Sequence, residues 1–204
     1  MHQSFAIQTV VGDAATDEVA MDSANVRLAS AVRASPWLGS VSAQAWVIAK
    51  SNAGTGKKYR RFALLAQRVA TAVSPHAACA RRCSHCCNIA VVISEFEAVA
   101  IGREIGVEVN RSVAKDAAES AVSRYTGVPC TFLRDGACSI YQHRPMQCRV
   151  HFNLADDERM CDLRVPSSES SVPNVNLSAF WVASAYALQS HHHGDIRDFF
   201  GART

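Results

Sequence analysis

Cys79-Ala-Arg-Arg-Cys83-Ser-His85-Cys86-Cys87 places four thiols within nine residues, and four more follow at Cys130, Cys138, Cys148 and Cys161. Thiolates are soft ligands, so a gathering of this density points to zinc or an iron-sulfur cluster and away from magnesium or calcium. Cys79, Cys83 and Cys86 stand at i, i+4 and i+7, which is one face if a helix runs through them. If the chain unwinds after Arg82, Cys83-x2-Cys86 becomes a compact chelating knuckle instead. Adjacent side chains diverge, so Cys86 and Cys87 are expected to serve two centres, or one centre with a redox or packing role for the other thiol.

Working outward, Cys130 and Cys138 flank Asp135-Gly136, a dipeptide suited to the positive φ angles of a tight turn. A two-stranded hairpin is therefore predicted between Thr131 and Tyr141, and it brings Cys130 and Cys138 close. All eight cysteines, Cys79, Cys83, Cys86, Cys87, Cys130, Cys138, Cys148 and Cys161, are candidate metal ligands. Two four-coordinate sites need eight ligands, and one four-cysteine centre with four bystanders gives the same total. The candidate cofactors are an iron-sulfur cluster, of 4Fe-4S type, or zinc. A single site would be a composite assembled from distant segments.

The rest of the chain reads as helices. Asp22 or Ser23 caps a helix through Leu28, Ala31 and Val32, which breaks at Ser35-Pro36. Trp37, Val41, Ala45 and Ile48 continue at near-helical intervals, and Asn52, Gly54 and Gly56 mark a linker. Phe62, Leu65, Ala66, Val69 and Val73 draw an apolar stripe on a helix from Lys58 to Val73. Ser74-Pro75 is expected to start a further helix that carries Cys79 and Cys83. Ser94 with Glu97 suggests a capping box, followed by an apolar face at Phe96, Val99 and Ala100 and a stop at Gly106.

A helix from Arg111 to Tyr125 is predicted from the stripe Ala114, Ala117, Ala118, Ala121, Val122 and Tyr125. Pro166 to Pro173 reads as a surface loop. Leu177, Phe180, Trp181, Ala185 and Leu188 outline a closing helix. The fold class is mostly α, a helical domain whose small hairpin helps to enclose a cysteine-ligated metal centre. Residues 1–57 form an N-terminal helical segment with a frayed start and a linker. Residues 58–204 form the cysteine-cluster domain with its C-terminal closing helix.

Composition narrows the function classes. A chain of 204 residues, 49% hydrophobic, buries a core without cysteine staples. Met1 to Ala20 lacks a basic leader and apolar run, so a cytoplasmic location is expected and disulfides are not. No stretch reaches the ~18 apolar residues of a membrane span. A formal net charge of +3 is mild, and Lys57, Lys58, Arg60 and Arg61 read as a solvated helix start, so no nucleic-acid partner is expected.

His85, His143 and His151 lie beside cysteines and are expected to support the site from outside or to face solvent. His191-His192-His193 reads as a helix C-terminal run. Arg144 and Arg149 bracket Pro145 and Cys148; they are candidate cofactor-binding residues that offset thiolate charge, or else surface partners of carboxylates. Ser51 to Lys58 has the outline of a phosphate loop, yet Ser51 stands where the first glycine belongs. Neither a dinucleotide fingerprint nor a nucleophile elbow is present.

Cys79-x3-Cys83-x2-Cys86-Cys87, followed by Asp135-Gly-Ala-Cys138-Ser-Ile-Tyr141-Gln-His-Arg144-Pro145-Met-Gln-Cys148-Arg149, resembles the YkgJ-type cysteine-cluster family. The resemblance implies a zinc- or iron-chelating domain, mainly bacterial, over about Cys79 to Cys161. The family often has two residues between its first two cysteines, where this chain has Ala80 to Arg82. A related cysteine-rich module occurs in flagellin lysine methylases, where it implies an iron-sulfur cluster in methyl transfer. This chain has no recognisable methyl-donor pocket, and a shared module does not fix the chemistry around it.

Three functions follow as expectations. The first is a metal-binding protein, iron-sulfur ahead of zinc, in electron transfer, maturation or sensing. The second is a group-transfer or redox enzyme that uses an open position on the centre or a spare vicinal thiol. The third is a structural zinc module that presents helices to a protein partner. Whether the chain is an enzyme stays open.

Overall fold

The computed structural model describes residues 10–11, 18–79, 83–114, 116–156, 158–164, 172–189 and 192–201. The frayed start, most of the serine-rich loop and His191 lie outside the described residues. The chain forms two units, each built from two stretches: Met1–Ala80 with Val150–Gln189, and Arg81–Arg149 with Ser190–Thr204.

In the first unit, helix α1 (Glu18–Ala34) buries Ala24, Leu28 and Ala31 and ends at Ser35, because a proline disfavours helix in the residue before it. It begins earlier than the Asp22 or Ser23 cap predicted from sequence, and Glu18 in its first turn suits the positive end of the helix dipole. Pro36 opens a 3-10 turn, Pro36–Ser40, that leads into α2 (Val41–Lys50). Helix α3 (Thr55–Val73) buries the predicted stripe Phe62, Leu65, Ala66, Val69 and Val73. Helix α7 (Ser178–Leu188) packs on α2 and α3, with the Phe180 ring edge-on to Phe62 at 5.6 Å. Its buried face is Phe180, Ala183, Ser184 and Ala187, so Ala185 of the predicted stripe faces solvent. An unforeseen strand pair joins β1 (Val10–Val11) to β5 (Asn174–Val175), antiparallel.

The second unit uses shorter elements. Strand β2 (Val92–Ser94) runs antiparallel to β6 (His193–Asp195), with Ile93 opposite Gly194. Each strand feeds a helix through a capping residue. Ser94 accepts from Glu97 N at the start of α4 (Glu95–Ile105), which Gly106 closes at φ 69°. Asp195 caps α8 (Ile196–Phe200), and the Asp198 carboxylate returns to Asp195 N at 2.8 Å, completing a capping box.

The capping box predicted at Ser94 and Glu97 has its Ser94 bond, but the Glu97 carboxylate turns inward and accepts from Met146 N at 2.8 Å. The buried face of α4 is accordingly Glu97, Ala98, Ile101 and Gly102, and the predicted Phe96, Val99 and Ala100 are only half-buried.

Of the helix predicted over Arg111–Tyr125, α5 (Ala121–Tyr125) forms. Upstream, Asn110 Oδ1 accepts from Ser112 N at 2.9 Å and Asn110 Nδ2 donates to Asp198 O at 3.0 Å. Such side-chain bonds hold a turn against helix, and an alanine stripe offers little area to outweigh them. The hairpin forms as predicted: β3 (Leu133–Arg134) and β4 (Ala137–Cys138) join through Asp135 at φ 49° and Gly136 at φ 74°. Between them and β6 in the chain stands the one-turn helix α6 (Met146–Arg149). The fold is thus mostly helical with small antiparallel strand pairs. Among the described residues no helix is long and apolar enough to cross a membrane.

Candidate metal centre

The cysteine-rich stretch is not the helix that one face of sulfurs required. Ser74-Pro75 opens only a 3-10 turn, Ser74–His76. Ala77 is extended, Ala78 N bonds to Asn153 O at 2.8 Å, and Cys79 follows outside any helix. That long-range bond takes the amide a helix would have used. Cys86 and Cys87 lie in a second 3-10 turn, His85–Asn88, which Asn88 braces by donating its side-chain amide to Ser84 O at 3.0 Å. Cys79, Cys83 and Cys86 therefore do not share the face of one α-helix. Cys83 keeps its sulfur within 4.8 Å of a His85 ring nitrogen.

Backbone bonds gather the second unit's thiols. Cys130 N donates to Cys87 O at 2.7 Å, tying the two segments together. Ser139 closes the hairpin by donating from N and Oγ to Phe132 O at 2.8 and 3.0 Å, which fixes Cys138 at the end of β4. Cys148 sits on α6, whose first residue Met146 is held by Glu97. Cys87, Cys138 and Cys148 pack against an apolar cluster that contains Cys130, Val91, Ile93, Phe132, Ile196 and Phe199.

Each of these thiols feels the charge or hydrogen bond of at least one other. Cys86 and Cys87, neighbours in the same 3-10 turn, act on each other most strongly of all these thiols. The Cys87 bond, helped by the Arg144 guanidinium, brings the Cys86 thiol down to about 7, against the opposing push of burial. Cys87 is driven up by Cys86, burial, Cys130 and Cys148. Burial raises Cys130 and Cys138, and raises Cys148 furthest, with Cys86, Cys130, Cys138 and Glu97 adding to it. Five thiols thus share one field.

Among the described residues, Arg144 and Arg197 are the cations whose charge acts on these thiols. Arg144 lies 4.0 Å over the Tyr141 ring, and its Nε is buried without a hydrogen-bond partner. Its charge favours the thiolate at both Cys86 and Cys138. Arg149 donates to Arg144 O at 2.9 Å and Gln142 O at 2.7 Å, bracing the loop that carries Arg144.

Arg197, which the sequence did not single out, is 1% exposed. It pairs with Asp195 at 3.3 Å, donates to Ile89 O at 2.7 Å and lies over Tyr125, and its charge reaches Cys130. The spacing Asp195-x2-Asp198 was a legible capping signal that led to it.

The first unit holds the remaining two sulfurs. Asn153, 2% exposed, donates its backbone N–H to Cys79 Sγ and its side-chain amide to Cys161 Sγ, each at 3.3 Å, while its Oδ1 accepts from Ala155 N. Asn153 was not foreseen; nothing in its sequence neighbourhood marks it. Burial pushes His151 below the ordinary imidazole range, whereas His143 is exposed in the turn Tyr141–His143. Helix α7 ends at Leu188 with Gln189 as its cap at φ 44°, and His192 and His193 belong to the approach and start of β6.

The donor set suits a soft metal. Cys87, Cys130, Cys138 and Cys148, of which Cys130 is buried and the others half-buried, resist ionisation, and a thiophilic cation relieves that cost by replacing their protons. Hard cations seek oxygen ligands, which this cluster does not supply.

Nothing among curated proteins or solved structures matches the chain. Residues 78–164 match the family model CxxCxxCC, described as "Putative zinc- or iron-chelating domain". All eight cysteines fall within that span, so the match covers the whole cysteine-rich block and somewhat less than half of the chain.

Proposed function

We propose that the second unit holds a soft metal centre, an iron-sulfur cluster in preference to zinc, in a cytoplasmic protein of electron transfer, maturation or sensing. The mutual electrostatic influence of Cys86, Cys87, Cys130, Cys138 and Cys148, three of which pack against the apolar cluster that contains Cys130, carries this reading. Four thiolates complete a 4Fe-4S cluster or a zinc tetrahedron, and a fifth remains beside it. The apolar wall of Val91, Ile93, Phe132 and Phe199 favours the cluster, since it keeps water from the inorganic sulfide. Arg144 offsets the excess negative charge of a thiolate-ligated centre, and Arg149 holds it in place. When bound, the group supplies an electron-accepting or Lewis-acidic site, and the thiols bind it and exclude solvent. Cys83, with His85 beside it, is a further candidate ligand of the second unit, and the Asn153-bound pair Cys79 and Cys161 are candidate ligands within the first.

Anaerobic purification followed by metal and sulfide analysis and a visible spectrum tests this. The expected result is brown protein with iron and acid-labile sulfide. Stoichiometric zinc without iron sinks the cluster reading, and a protein that takes up neither sinks the metal reading.

A further inference from the structure

From Ser23 to Ser94 the chain contains no aspartate or glutamate, although it carries Lys50, Lys57, Lys58, Arg60, Arg61 and Arg68 among other cations. The mild overall charge hides this segregation, because the acids lie elsewhere. Within the first unit, α2, α3 and α7 are all free of acidic residues, and α7 has no charged residue at all.

Two contacts set the register of α2 against α3. Arg68 donates to Gln44 at 3.3 Å at one end, and Lys58 Nζ donates to Ala49 O at 2.8 Å at the other, so the helices run antiparallel. Arg61 and Leu64 consequently fall alongside Val47. On the other flank of α2, Trp46 meets Tyr186 of α7 with ring centroids 5.8 Å apart. Val47 is 71% exposed, Leu64 62% and Tyr186 59%, and Lys50 on α2 with Lys57, Arg60 and Arg61 on α3 are exposed cations of the same helices. Among the described residues no ion pair is made by those four cations.

We propose that this face of the first unit docks an acidic protein partner: a helix or helical surface whose carboxylates meet Lys50, Lys57, Arg60 and Arg61 and whose apolar side chains cover Val47, Leu64 and Tyr186. Apolar centres ringed by arginine and tyrosine are the composition of protein interfaces, and complementary charge steers encounter. The alternatives fit less well. Membrane-surface helices need a free apolar face, and that of α3 is spent against α7 through Phe62 and Phe180. Base stacking needs open rings, yet Trp37 is covered by Arg68 at 4.4 Å and Trp46 has Lys50 over it at 5.6 Å. A second copy of the face would bring like charges together.

The test uses the full chain and a fluorescent helical peptide with glutamates on one face and leucines on the other. A second peptide has the same charge but alanine for leucine. The leucine peptide is expected to bind about tenfold more tightly than the alanine one, and Leu64→Ala to erase most of that difference. Combining Lys57→Glu, Arg60→Glu and Arg61→Glu is expected to weaken binding by about tenfold or more, and a lysine-leucine peptide to bind this variant in preference, which shows that it is folded.

Equal binding of the two acidic peptides, or of wild type and the charge-reversed variant, overturns the proposal. So does a DNA duplex or anionic phospholipid vesicle that binds more tightly than the peptide and is lost in the same variant. A dimer abolished by those substitutions overturns it as well.

Discussion

The two units keep their interiors by different means. The first is closed by long helices whose apolar stripes meet, as Phe62 meets Phe180, and its ion pair Arg27–Asp156 stays at the surface. The second has few long elements and buries thiols, Glu97 and the Arg197–Asp195 pair. An apolar core tolerates substitution by degrees, whereas a polar interior fails when one partner is removed, because a buried group left unpaired carries its full desolvation penalty. The second unit therefore depends more on each polar partner being in place.

That contrast breaks or holds first on the cysteines. Cys138→Ala and Cys148→Ala should each lose most of the metal, while Cys79→Ala and Cys161→Ala should lose less, as read by metal content per chain. Full retention in both Cys138→Ala and Cys148→Ala defeats the shared centre.

The next effect is on pH. Cys87, Cys130, Cys138 and Cys148 have raised pKa values, so they are protonated at neutral pH and a metal must displace those protons. Affinity should fall as pH falls, by about tenfold per pH unit for each proton released, and zinc titration in weak buffer should acidify the solution. A pH-independent affinity contradicts the buried thiols.

Stability separates the units more finely. Arg197→Met should cost about 3–5 kcal/mol by urea unfolding, since it strands Asp195 in the interior. Glu97→Ala removes the acceptor for Met146 N and should cost about 1–3 kcal/mol. Arg27→Ala, in the first unit's exposed pair with Asp156, should cost less than about 1 kcal/mol. If Arg197→Met proves as mild as Arg27→Ala, the interior of the second unit is wetter than its packing implies.

The same contrast explains what was legible. The α3 stripe, the break at Pro36, the Gly106 stop and the Asp135-Gly136 turn were read correctly, since each depends on residues close in sequence. The predicted helices at Cys79–Cys83 and Arg111–Tyr125 fail where a distant or side-chain bond takes the backbone: Ala78 by Asn153, and the Asn110 turn by its own amide and Asp198. Local periodicity carries no sign of such partners. The identities of the cysteines were plain from the sequence, but the division between a five-thiol field and a pair on Asn153 depends on strand pairing and on residues such as Asn153 that bear no motif.

The wall of the thiol field has a consequence for synthesis. Ile196 and Phe199 pack into the same apolar cluster as Cys130, and β6 supplies the partner strand of β2, yet both come from the chain's last described stretch. A ribosome delivers Cys83 to Cys148, then the whole of α7, before that wall exists. The nascent thiols therefore wait in an open pocket, exposed to oxidants and to any available metal, until the final strand and helix emerge and shut it.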